Sequence, residues 1–255
     1  MESKKHGVLD SVEESNEGTA KRPKKSKKPR FKLPENVKEK SKFKTPKFKI
    51  QNVVATFNLG VDKLDLRELS LQLPFTEYNP HKFAAATLRL RNPRTTALAF
   101  ASGNLVCTGS KDEMTSRWAS RRYVRLLQRY GVPVQFRRFK IQNIVASCNT
   151  GHPLMLKELA TQYGHYVSYE PDLFPGLVFR TSEPKLVFLC FRSGKVVITG
   201  AKTRKEIEET LELLFQNILV NFFDYKDDSK SSSEYRKQIR SEALPLEAFD
   251  LDSLL

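Results

Sequence analysis

Cysteine, histidine and tryptophan are scarce in this 255-residue chain, with three, four and one residues respectively. Cys107, Cys148 and Cys190 are odd in number, sit inside apolar runs, form no C-x-x-C pair and have no histidine at ligand spacing. A disulfide framework and the usual zinc sites are therefore excluded, and the sequence asks for no metal and no cofactor. His6, His81, His152 and His165 lack a Ser, Cys or carboxylate partner at a recognisable catalytic spacing, and no Gly-rich phosphate loop is present. An enzyme is not the expectation. No apolar run approaches the roughly 18 residues of a membrane span, and the first residues lack the apolar stretch of a secretory signal. A soluble intracellular protein with no membrane partner is expected. Acids are the minority charge: 29 Asp and Glu stand against 44 Lys and Arg, for a formal charge of +15. An excess of that size needs an acidic partner, nucleic acid first among the candidates.

What is present is enough for a core. At 39% hydrophobic residues the chain is one large domain or two small ones. Residues 1–47, with runs such as Lys21-Arg22-Pro23-Lys24-Lys25, have no hydrophobic period. They read as a basic disordered arm, either a nuclear-import signal with nonspecific phosphate contact or a solubilising tail. Residues 224–255 are Ser-rich and acidic, and close on Leu244 to Leu255, where acids alternate with Phe and Leu. That pattern fits an amphipathic activation segment or a terminal helix packed back on the core.

Between the tails the chain repeats itself. Phe48-Lys49-Ile50-Gln51-Asn52-Val53-Val54-Ala55 recurs as Phe139-Lys140-Ile141-Gln142-Asn143-Ile144-Val145-Ala146. The same offset superposes Phe83 on Phe174, Arg89 on Arg180, Phe100 on Phe191, Thr108-Gly109 on Thr199-Gly200 and Lys111 on Lys202. Two copies, residues 48–138 and 139–223, predict a pseudo-twofold body rather than a solenoid. Within a copy, strands are expected at 51–59, 82–90, 95–101 and 105–108, a short helix ahead of Pro74, and a long helix over 112–130. The second long helix is expected over 204–222.

Alternation places Thr96, Leu98 and Phe100 on one face and Ala97, Ala99 and Ala101 on the other. Val187, Leu189 and Phe191 oppose Leu186, Phe188 and Cys190 in the second copy. Both faces are apolar, yet two helices per copy cover one side only. The free face, with Asn52, Val54, Val106 and Thr108 and their counterparts Asn143, Val145, Val197 and Thr199, is expected to hold no acid. It is a binding surface, or a second core face closed by the tails or by dimerisation.

The run from Tyr78 through Phe83 to Ala85, then Arg94 to Gly103, then Cys107-Thr108-Gly109, resembles the first repeat of the TATA-box-binding protein family. Ser168 to Leu177, with Ser193 to Lys202, resembles the second. The resemblance spans about residues 48–223. It implies an α+β fold: a pseudo-twofold saddle, a curved ten-stranded antiparallel sheet with two long and two short helices on its convex face. It also implies a nuclear general transcription initiation factor that binds and bends TATA-type DNA through the minor groove and nucleates preinitiation complex assembly. A related paralogue serving some promoters, or a basic scaffold acting through protein partners, are the other readings.

Residue by residue, the resemblance implies that Phe83, Phe100, Phe174 and Phe191 intercalate between base steps. Asn52, Val54, Leu98, Val106, Thr108, Asn143, Val145, Leu189, Val197 and Thr199 would line the groove floor. Arg89, Ser102, Lys111, Arg180, Ser193 and Lys202 would contact phosphates. Glu170, Asp172 and Leu173 would meet a transcription factor IIB-like partner, with Asp172 one methylene shorter than the Glu usual there. Arg121, Arg122, Arg125 and Arg129 would meet IIA-like factors. Further implied partners are the TATA-binding-protein-associated factors, the RNA polymerase machinery indirectly, and a second copy of the chain when DNA is absent. Ala86-Thr87 and Ala99 depart from the family pattern, in which larger apolar residues are usual, and Arg192 falls where an apolar residue is common.

Overall fold

The computed structural model describes residues 28–37 and 41–224. The rest of the basic arm and the C-terminal tail lie outside the described residues. Among the described residues, four α-helices and ten strands run in the order β1 (Lys49–Asn58), α1 (Leu66–Gln72), β2 (Thr76–Glu77), β3 (Ala85–Leu90), β4 (Thr95–Phe100), β5 (Asn104–Ser110) and α2 (Glu113–Arg129). They continue with β6 (Arg137–Asn149), α3 (Leu156–Gln162), β7 (Val167–Ser168), β8 (Leu177–Arg180), β9 (Val187–Cys190), β10 (Lys195–Ala201) and α4 (Arg204–Asn217).

The strands form one antiparallel, curved open sheet in the order β2-β3-β4-β5-β1-β6-β10-β9-β8-β7. Read from either end the order is that of one repeat and then the other, so the two copies join along β1 and β6. The register shows the symmetry directly: Asn52 lies opposite Val145 and Val54 opposite Asn143, about the central pair Val53 and Ile144. A pseudo-twofold axis therefore passes between β1 and β6, and it gathers two Asn and two Val at the middle of the sheet.

The helices pack on one face. Beneath α2, Ala86, Ala97 and Ala99 leave room that the fully buried Tyr123 fills, its hydroxyl donating to Thr95 O at 2.8 Å. The second repeat solves the same packing with larger sheet residues, Phe179 and Phe188, against Leu211, Leu214 and Phe215 of α4. Both long helices start on a side-chain cap at equivalent positions: Asp112 accepts from Thr115 N–H and Thr203 from Glu206 N–H.

Three sequence expectations are corrected. The strand placed at 82–90 begins only at Ala85, because Lys82 and Phe83 donate their N–H groups back to Asn79 O in a turn. The helix placed at 204–222 ends at Asn217 and continues as a 3-10 turn over Leu219–Phe222, which buries Leu219 and Phe222. Residues 28–37 and 41–47, assigned to the arm on composition, lie on the second repeat. Phe31 N donates to Arg180 O at 2.8 Å and Ser182 N to Phe31 O at 2.9 Å, while the Phe31 ring meets Tyr163, Tyr166 and Phe179 edge-on. Leu33 is buried, and the Phe43 ring meets His152 and Phe223 edge-on. A few apolar anchors outweigh the basic composition there.

Candidate nucleic-acid interface

On the face away from the helices, the centre is polar in a controlled way. Asn52 Oδ1 accepts the Gly109 N–H at 2.8 Å, and Asn143 Oδ1 accepts the Gly200 N–H at 2.8 Å. These bonds turn each amide so that Nδ2 donates to a threonine hydroxyl, Thr108 Oγ1 at 3.0 Å and Thr199 Oγ1 at 3.1 Å. Each Asn NH2 has a second hydrogen beyond the one given to Thr. The centre therefore presents donors to a ligand that brings acceptors. Glycine is required for this geometry: Gly200 has φ of +99°, and a Cβ there would lie 2.8 Å from Lys185 O.

Flanking the centre, Leu98 pairs with Val106 and Leu189 with Val197 across neighbouring strands. The two halves differ in packing. Val145, Val178, Val187, Leu189, Phe191 and Val197 form their own buried cluster, with Phe174 against it. Their first-repeat equivalents Val54, Thr87, Thr96, Leu98, Phe100 and Val106 are half-buried. At two positions the halves are isosteric but chemically distinct: Thr87 stands for Val178 and Thr96 for Val187. Thr87 pairs with Leu98 and Thr96 with Thr108 on the same face. Sequence reasoning placed Thr96 and Val187 on this face but missed Thr87 and Val178, whose register only the β3–β4 and β8–β9 pairings reveal.

At each outer end stands a pair of phenylalanines. Phe83 and Phe100 lie with ring centroids 6.4 Å apart at 67°, and Phe174 and Phe191 lie 5.9 Å apart at 72°. Phe83 is exposed and its equivalent Phe174 half-buried, while Phe100 is half-buried and its equivalent Phe191 buried. One contributor is a methyl group. A Cβ at Gly176 would sit 2.6 Å from the Phe174 ring and 3.1 Å from the Phe191 ring, so glycine lets these rings settle on the sheet. Ala85 has that methyl at the equivalent place in the first repeat.

The rim is basic. Arg89, Ser102, Lys111 and Lys202 are exposed and Arg180 half-buried, while Ser193 is buried. Burial, and then the neighbouring Arg30, lower the Arg180 pKa from its ordinary value. The expectation of a face without acid needs one correction. Edge strand β2 brings Glu77 opposite Thr87, and its carboxylate lies 3.6 Å from the Arg89 guanidinium. Both side chains are well exposed, so this pair is worth about 0–1 kcal/mol and leaves Arg89 easily released.

The residues expected to meet proteins lie elsewhere. Glu170, Asp172 and the 77% exposed Leu173 form the loop just before Phe174. Arg121, Arg122, Arg125 and Arg129 are exposed along α2, with Arg121 over the Phe136 ring and Arg122 over the Trp118 ring. Among the described residues no group of His, Cys, Asp and Glu is placed to hold a metal ion.

Comparison with known proteins puts this geometry in context. Residues 47–130 and 138–220 each match the family described as transcription factor TFIID, or TATA-binding protein. The TATA-box-binding protein of Acanthamoeba castellanii is 52% identical over 177 residues, 69% of this chain and 67% of that protein. TATA-box-binding protein 1 of Triticum aestivum is 52% identical over 166 residues, 65% of this chain and 71% of that protein. Among solved structures, the Methanococcus jannaschii TBP superposes with a TM-score of 0.61 at 36% identity, covering 68% of this chain and 98% of that one.

Proposed function

As the chain belongs to the TATA-binding protein family, we propose that it binds TATA-type promoter DNA in the minor groove with the helix-free sheet face, bends it, and presents the complex to the transcription initiation machinery in the nucleus. It acts without catalysis. The observation that carries this reading is the pair of Asn–Thr–Gly arrangements related by the central axis, framed by a Phe pair at each end.

The chemistry follows from what the minor groove offers. Adenine N3 and thymine O2 are acceptors, which the Asn52, Asn143 and Thr108 donors satisfy while the buried Thr199 holds the Asn143 amide, whereas guanine adds an amino group that crowds Val54, Val145, Leu98 and Leu189. A preference for A·T results without a bond to every base. Rigid Phe rings act as wedges, and in minor-groove wedge proteins, this family among them, unstacking a step costs about a few kcal/mol. Bending the site costs on the order of 1–6 kcal/mol more. Apolar contact with the groove floor, at roughly 25 cal/mol per Å², offsets these terms. Flexible T-A steps lower the cost, so part of the specificity is deformability. Arg89, Arg180, Lys111 and Lys202 then set affinity and salt dependence through phosphates, with the exposed Ser102 as a neutral contact, whereas Ser193 is buried and does not face the DNA backbone. The loop at Glu170, Asp172 and Leu173 would receive a factor IIB-like protein, and the α2 arginines an acidic IIA-like one.

An end-labelled duplex with a TATA element, compared with a G·C-substituted duplex over a salt series, tests the reading by energy transfer between the ends. Bending of the TATA duplex alone, lost in Phe100→Ala/Phe191→Ala, is expected. Equal and steeply salt-dependent binding of both duplexes without bending would overturn it.

A further inference from the structure

The helix α2 carries a surface that the sheet face does not use. Arg117, Arg121, Arg125 and Arg129 follow each other at i, i+4 spacing, with Arg122 beside them, and all five are exposed. Each like-charge pair at that spacing costs about 0.2–0.5 kcal/mol. Among the described residues none of the five has an ion pair. Glu113, the acid of the first turn, is engaged by Arg204 of α4 at 3.2 Å. Two large apolar side chains lie open in the same stripe, Met114 at 78% and Trp118 at 49% exposure. Trp118, Arg121, Arg122, Arg125, Leu126 and Arg129 line a shallow depression. Such a surface fits an acidic segment with apolar anchors.

The chain contains one. Residues 241–255 hold four acids, Glu242, Glu247, Asp250 and Asp252, and no base, interleaved with Leu244, Leu246, Phe249, Leu251, Leu254 and Leu255. We propose that this C-terminal segment docks in cis on the Arg–Trp118 face of α2, its carboxylates between the arginines and Phe249 and its neighbouring leucines against Trp118 and Met114. The segment thereby covers this face until an acidic partner displaces it.

The distances allow it. Asp224, the last described residue, lies just past the 3-10 turn that follows α4, where its N–H donates to Pro153 O at 2.9 Å. Back along α4 is about 21 Å, the Glu113–Arg204 contact joins the two helix starts, and Trp118 lies about 8 Å further. The span is on the order of 30 Å. The 16 residues 225–240 cover about 22 Å as a flexible coil and about 53 Å when extended. Tethering through a linker of this size gives an effective concentration in the mM range. A segment that binds α2 with a Kd near ~0.1 mM in trans would therefore be about nine-tenths bound in cis.

Trp118 is the single tryptophan of the chain, so its fluorescence reads the site directly. The experiment compares emission maximum and acrylamide quenching in the full chain and in a chain ending at Asp224, with thermal melting to confirm that each is folded. The full chain is expected to show blue-shifted emission and weaker quenching, independent of protein concentration and reversed by high salt. Asp250→Lys/Asp252→Lys should return quenching to the level of the shortened chain, and so should Arg122→Glu/Arg125→Glu. Combining the two pairs should restore protection. Identical quenching in the full and shortened chains would overturn the proposal. So would protection that survives both charge reversals, or protection that appears only as concentration rises, which would mark a second copy as the occupant. The readout lies on the face opposite the sheet surface, so its failure leaves the DNA reading untouched.

Discussion

Replacing one asparagine of each repeat by alanine separates the structural work of the two Asn–Gly bonds from their work in binding. In Asn143→Ala the Gly200 N–H and the Thr199 hydroxyl lose their partner at a site where Asn143 is 7% and Thr199 1% exposed. Two polar groups left unsatisfied at about 1–3 kcal/mol each give a loss on the order of 2–4 kcal/mol once partial relaxation is allowed. In Asn52→Ala the orphaned Gly109 N–H is exposed and Thr108 half-buried, so water takes over. The expected loss is about 0.5–1.5 kcal/mol. For a folded part near 200 residues, 1 kcal/mol moves Tm by about 2–4 °C, which makes the two variants distinguishable by heat. Urea titration with an unchanged m value gives the free energies. In DNA binding the order should vanish: each variant loses an NH2 donor to the groove, worth about 1 kcal/mol or about fivefold in affinity for an A·T site. Equal destabilisation by the two substitutions, or a larger one from Asn52→Ala, would refute the argument from burial.

Two further predictions follow from the same packing. Burial pushes the Cys107 thiol up to about 11 and Cys148 to about 12, and raises Cys190 further. Unfolded thiols titrate near ~8.5. The contribution of each to stability is thus intact below that pH and is lost as pH rises toward the folded value, at up to about 1.4 kcal/mol per pH unit. Urea unfolding from pH 8 to 10 should show this slope, flattened when the cysteines are replaced by alanine, and a thiol reagent at pH 8 should label the chain only through unfolding. Labelling of the folded chain as fast as of the denatured one would refute the assignment. Thr87→Val/Thr96→Val gives the first-repeat half of the face the side chains of the second. Because a threonine hydroxyl accepts from a guanine amino group, the variant should discriminate more strongly against a single G·C pair under that half, by about fivefold for one hydrogen bond. Competition binding with paired duplexes measures the ratio, and an unchanged ratio would show that these hydroxyls do not reach the bases.

Much of the architecture is legible in the sequence because repetition and alternation are local or offset-based signals. The 91-residue offset between Asn52 and Asn143 announces two copies, and the parity of Leu98 and Phe100 against Ala97 and Ala99 announces a sheet with two apolar faces. The long helices are legible to within a few residues, expected at 112–130 and 204–222 and found at Glu113–Arg129 and Arg204–Asn217. Composition misjudged residues 28–37 and 41–47, because a basic average conceals the anchors Phe31, Leu33 and Phe43, which pack against Tyr163, Phe179 and Phe223 far along the chain.

The sequence by itself determined the twofold plan and most of the residues on the open face, which follow from period and repeat, while its family resemblance implied the fold class. Only the tertiary structure decided how those residues behave. The glycine N–H that orients each asparagine comes from 57 positions away in the chain. The different exposure of the two Phe pairs depends in part on Ala85 against Gly176, and the engagement of Arg89 on a two-residue edge strand that brings Glu77 beside it. Hydrogen bonds and van der Waals contacts act over a few ångströms, and only closure of the sheet brings such distant residues within that range.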